Sequence, residues 1–122
     1  MTTPHTTRDP LDRPVVSPRV DVFESDADIL LLADVPGAAE GGVRLTWERG
    51  QLTLEAPSEL GEAPGTLLAA EFGDVLYRRS FVLPKGIDAD AISAELSSGV
   101  LRIRLPKLPA AQPRRIKVEA TA

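Results

Sequence analysis

Residues 94–107 read AELSSGVLRIRLPK, and this stretch decides the fold. Leu101, Ile103 and Leu105 alternate with Arg102 and Arg104. Alternation with a period of two sends one set of side chains to a buried face and the other into water. On a helix the same three apolar residues would scatter around the circumference and make no stripe. Pro106 closes the strand, because proline has no amide to donate to a ladder. Ser97-Ser98-Gly99 marks a turn, and before it Ala94 and Leu96 belong to a second short strand.

Working outward, the same kind of element recurs. Residues 19–24, RVDVFE, set Val20 and Val22 against Asp21 and Phe23, which fits a strand at a sheet edge. Residues 28–35, DILLLADV, are a nearly continuous apolar run stopped by Pro36-Gly37, which predicts a strand buried on both faces. In VRLTWERG, residues 43–50, Val43, Leu45 and Trp47 share a face; QLTLEA follows, so a hairpin with glycine in its turn is expected. Residues 57–74 read as a long connection whose apolar island, Leu67-Leu68, suits either a short strand or a helical turn. Residues 75–83, VLYRRSFVL, make another strand with Tyr77, Arg79, Phe81 and Leu83 on one face. An arginine among large apolar neighbours either lies along the rim with its head in water or meets a carboxylate.

Together these are about seven to eight short antiparallel strands with turn signals between them and no convincing helix, an all-β sandwich. Residues 1–18 hold prolines at 4, 10, 14 and 18 and read as a flexible arm, with Val15 and Val16 solvated. The sandwich domain is expected over residues 19–108, and residues 109–122 as an extension carrying Ile116-Lys117-Val118.

Composition narrows the function. A chain of 122 residues supports one core. There is no cysteine, hence no disulfide or thiolate metal site, and the one histidine, His5, stands in the polar arm. No Ser-His-Asp or Cys-His arrangement follows from that inventory, and no phosphate-binding GxxxxGK motif is present, so neither an enzyme nor a cofactor is expected. A net charge of −4 and 4% aromatic residues argue against a nucleic-acid partner. No apolar run approaches the length that spans a bilayer, and the first residues lack the apolar core of a secretory signal; a cytoplasmic protein is the expectation.

The residues also resemble a family. Ala94, Leu96, Gly99, Val100, Leu101, Ile103, Leu105, Pro106 and Lys107 are similar to the signature of the α-crystallin domain of small heat shock proteins. Residues 33–37 (ADVPG), residues 77–84 (YRRSFVLP) and the Ile116-x-Val118 pair fall in that family's order. The resemblance implies an immunoglobulin-like sandwich acting as a holding chaperone that needs no ATP and binds non-native client proteins. It implies a homodimer by strand exchange, or pairing with a related subunit, with higher oligomers built on it. Leu67, Leu68 and Phe72 would then lie beside a partner's Val20 and Val22, with Arg79 at the dimer interface. Ile116 and Val118 would dock in a groove between Val43, Leu45 and Trp47 on one strand and Ile92, Ala94 and Leu96 on another. The short, aromatic-poor arm departs from the family's longer, phenylalanine-rich one. The other reading is a co-chaperone-like sandwich that docks one specific folded partner.

Overall fold

The computed structural model describes residues 13–59 and 74–120. Among these residues eight strands form two sheets: β1 (Val15–Val16), β2 (Val20–Glu24), β3 (Asp28–Asp34), β4 (Arg44–Glu48), β5 (Gln51–Glu59), β6 (Asp74–Val82), β7 (Ser93–Ser97) and β8 (Val100–Pro106). One sheet has the order β1-β6-β5-β4 and the other β2-β3-β8-β7. Their inner faces make the core. Leu101, Ile103 and Leu105 of β8 are at most 2% exposed, and they face the same interior as Ile29, Leu31 and Ala33 of β3 and Leu52, Leu54 and Ala56 of β5. The alternation in residues 94–107 is thus the alternation between core and water, and the fold is an all-β sandwich.

Two hairpins rest on turns that the twist of the flanking strands requires. Arg49 and Gly50 join β4 to β5 with φ of 51° and 76°, and Ser98 and Gly99 join β7 to β8 with φ of 50° and 77°. Left-handed backbone at both central positions is the type I′ geometry, which lets strands pair without splaying.

The structure corrects several expectations. Val15 and Val16 are not solvated: they pair in parallel with Leu76 and Tyr77 of β6, and the Leu76 amide donates to the Pro14 carbonyl at 2.9 Å. The reason is that β6 would otherwise present an open edge, and Val16 gains contact with the core by lying there. Among the described strands this pair is parallel and the others are antiparallel.

β3 is buried on one face only, since Leu30 and Leu32 point outward and are half-buried. Among the described residues no further layer lies over them. Their cover comes from neighbours in register, Phe23 and Arg104 beside Leu30, Asp21 and Arg102 beside Leu32. β5 runs on to Glu59 instead of ending near Ala56. Pro57 is tolerated because β4 pairs with β5 only as far as Arg44 opposite Glu55, so the missing amide interrupts no ladder on that side.

After β8 the chain stays attached for a few residues. The Leu108 amide donates to the Gly86 carbonyl at 2.7 Å, and the Gln112 side chain donates to the Lys107 carbonyl at 3.2 Å. Lys107 itself bridges to Glu24 at 2.7 Å and to the Ser25 carbonyl at 2.8 Å. From Pro113 onward every described residue is exposed.

Candidate functional site

Among the described residues the sheet orders leave two open sides. β4 and β7 are edges on one side, β1 and β2 on the other. On the β4–β7 side, Val43, Leu45, Ala94, Leu96 and Leu101 line a groove of about 250 Å³, with Glu40 at its rim. Edge strands from two sheets make this groove because side chains on their inward faces, Leu45 and Leu96, lose neighbours where the sheets stop. Of the residues anticipated there, Val43, Leu45, Ala94 and Leu96 come together. Trp47 and Ile92 do not line it: Trp47 borders a separate cleft at the end of the sandwich, and Ile92 packs against the core. Leu101 and Glu40 were not anticipated. Leu101 alternates with its strand as a core residue, and only its place beside the edge gives it a second role. The short 3₁₀ turn Glu40–Gly42 places Glu40, and nothing in the loop sequence signals that.

Ile116 and Val118 are 82% and 87% exposed in the extended tail, and Arg115 and Lys117 alternate with them. An extended chain with apolar residues at i and i+2 presents both on one side and its cations on the other.

On the β1–β2 side, Val20 packs against the core, whereas Val22 and Phe23 are 58% and 54% exposed. Arg79 lies on the inner face of β6, opposite Leu54 in register. Its guanidinium donates to the Pro18 carbonyl at 3.2 Å and lies 5.1 Å from the centre of the Phe81 ring. Among the described residues it meets a carbonyl and an aromatic face instead of a carboxylate. Leu67, Leu68 and Phe72, expected beside this edge in a partner, lie outside the described residues.

Charges elsewhere tie strands across the surface. Arg78 bonds Glu55 at 2.8 Å across β6 and β5, and Arg104 bonds Asp28 at 2.7 Å across β8 and β3. The Arg104 hydrogen bond, followed by that of the Ser25 hydroxyl, holds the Asp28 carboxyl below the usual carboxylate range. Among the described residues no three His, Cys, Asp or Glu side chains gather as metal ligands, and no helix is long and apolar enough to cross a membrane.

The two-sheet sandwich agrees with the alternation in residues 94–107, and the sequence comparison decides the family. The model of the Hsp20/alpha crystallin family matches residues 21–119. The chain belongs to the Hsp20/alpha crystallin family. It is 37% identical over 93 residues to a probable 15 kDa heat shock protein of Leptospira interrogans, covering 76% of this chain and 72% of that one. It is 34% identical over 110 residues to spore protein SP21 of Stigmatella aurantiaca, covering 88% of this chain and 65% of that one. The sandwich superposes on a small heat-shock protein from Xylella fastidiosa with a TM-score of 0.63 at 33% identity, over 86% of this chain and 98% of that one. It also matches heat shock protein 16.0 of Schizosaccharomyces pombe with a TM-score of 0.65 at 26% identity, over 88% and 99% of the two chains. Membership of this small heat shock protein family implies a chaperone role, not an enzymatic one.

Proposed function

We propose that this small heat shock protein is a holding chaperone that works without ATP, binding partly unfolded proteins and limiting their aggregation. The observation that supports this most directly is the open β4–β7 groove together with an exposed Ile116-x-Val118 pair of matching chemistry. A molecule that keeps apolar edges open to other chains lowers the free concentration of aggregating species by mass action and needs no chemical step. In this reading residues 19–108 are the sandwich domain and residues 109–122 the extension whose tail enters another subunit's groove. Subunits pair as a homodimer, or with a related subunit, through the β1–β2 side, and Val20, Val22 and Arg79 lie at that contact with Leu67, Leu68 and Phe72 of the partner chain. The protein acts in the cytoplasm.

The test is light scattering of a heat-denaturing client mixed with the purified protein and no nucleotide. Suppression of scattering at stoichiometric amounts is expected. Undiminished scattering at molar excess, with capture of a single native partner in its place, overturns the reading in favour of a specific docking module.

A further inference from the structure

At the end of the sandwich, away from the tail groove, Trp47, Val82, Leu83, Pro84 and Ile87 wall a cleft of about 460 Å³. Two charged side chains border it, Arg49 and Lys85, and both are cations. Arg49 occupies the left-handed position of the type I′ turn, so its backbone is fixed beside the cleft. Lys85 sits in the turn that follows β6. Both are exposed, and neither makes an ion pair or side-chain hydrogen bond among the described residues. Among the described residues no acid lines this cleft; Glu48 lines a neighbouring one, with Thr46, Gln51 and Thr53, that Arg49 also borders. Val82, in the wall of the cleft, is 87% exposed.

We propose that this cleft is a second docking site, for an extended polypeptide segment in which apolar residues are flanked by carboxylates. The inference rests on the chaperone reading for its source of such segments, and it deepens it by naming their chemistry. Charge selects the occupant. The chain's own tail starts beside this cleft, since Leu108 bonds Gly86 and Gly86 lines it. That tail is basic, however, with Arg114, Arg115 and Lys117 around its apolar pair. Two cations at the cleft repel it, whereas Glu40 at the rim of the β4–β7 groove attracts it. The two apolar sites are thus sorted by opposite charge: one takes a basic tail, and the other stays open to an acidic partner.

Trp47 is the chain's single tryptophan and walls this cleft, so its emission reports on the cleft. The full-length protein would be titrated with two short peptides of equal length, a leucine pair flanked by glutamates and the same pair flanked by lysines. A saturable blue shift is expected with the acidic peptide and binding at least tenfold weaker with the basic one. The double variant Arg49→Asp, Lys85→Glu should invert that order; aspartate is chosen at position 49 because it tolerates left-handed backbone. The double variant Ile116→Ala, Val118→Ala should leave the acidic peptide's affinity unchanged. Equal response to both peptides, no saturable response, or an unchanged preference after charge reversal overturns the proposal. Tighter binding after tail substitution, or a lower solution mass after charge reversal, overturns it too, by assigning the cleft to the tail or to a second copy. Suppression of client scattering that persists while the peptides fail to bind would sink this site and leave the chaperone reading standing.

Discussion

Replacing Ile116 and Val118 by alanine asks whether the tail joins subunits. Isoleucine to alanine removes three carbons and valine to alanine two, so full burial of the pair would contribute about 4 kcal/mol at about 0.8 kcal/mol per carbon. With about half of that surface covered in a docked state, the expected loss is about 2 kcal/mol, a roughly thirtyfold weaker contact. The two side chains are 82% and 87% exposed in the subunit itself, so its own stability should not change. The measurement is solution mass by light scattering after size exclusion, over a concentration series, with thermal unfolding as the control. The mass-against-concentration curve should move to higher concentration by about that factor. A curve that coincides with that of the parent protein refutes the idea that the pair holds assemblies together. Leu45→Ala or Leu96→Ala, on the groove side, should move the curve in the same direction.

Other outcomes follow from particular contacts. Arg79→Met removes the bond to the Pro18 carbonyl and the contact with Phe81, and should lower stability by about 1–2 kcal/mol in chemical denaturation. If Arg79 also lies at the dimer contact, that variant dissociates at higher concentrations than the parent; an unchanged dimer confines its role to the subunit. Gly37→Ala forces a side chain onto backbone with φ of 83° and sets its Cβ 2.6 Å from the Glu59 carbonyl oxygen. It should cost at least about 1–2 kcal/mol, whereas Gly41→Ala meets nothing within 4 Å and should be close to neutral; equal melting temperatures would contradict this. Asp28 titrates below its unfolded-state value because Arg104 and Ser25 bond the charged form. Its contribution to stability is therefore present above the unfolded value and disappears as pH falls through the folded one. Asp28→Asn should flatten that part of the acid limb in a pH series of unfolding midpoints, and an unchanged limb would count against it.

What the sequence disclosed tracks how local each signal is. The alternation of Leu101, Ile103 and Leu105 and the turn at Ser98-Gly99 are local, and the strands and hairpins they imply are present. Val15-Val16 has no periodicity to read, and its pairing with Leu76 and Tyr77 depends on an edge some sixty residues away. DILLLADV looks the same whether its second face meets another layer or, as among the described residues, only the side chains of neighbouring strands. Pro57 reads as a strand breaker until one knows that β4 has already ended beside it. In the groove, Leu45 and Leu96 are legible as apolar residues of short strands, and only the family resemblance brings the two strands together. Trp47 shares their alternation yet lines the end cleft, because period two fixes the face of a strand and not the position along it. Arg79 was legible as an anomaly, and the Pro18 carbonyl that meets it was not, since a backbone acceptor leaves no mark in composition.

The two open sides of the sandwich are unlike: β4 and β7 offer a groove, while β1 and β2 offer a bare strand edge. If the tail of one subunit enters the groove of another, as proposed, that contact is heterologous, and it propagates from subunit to subunit unless the rotation between neighbours closes a ring. The residues that set that rotation lie between the last anchored side chain, Gln112, and the apolar pair of the tail. Pro113 stands at the start of that joint, and its fixed φ narrows the angles available there. The number of subunits in a closed particle is then a matter of angle more than of adhesive strength.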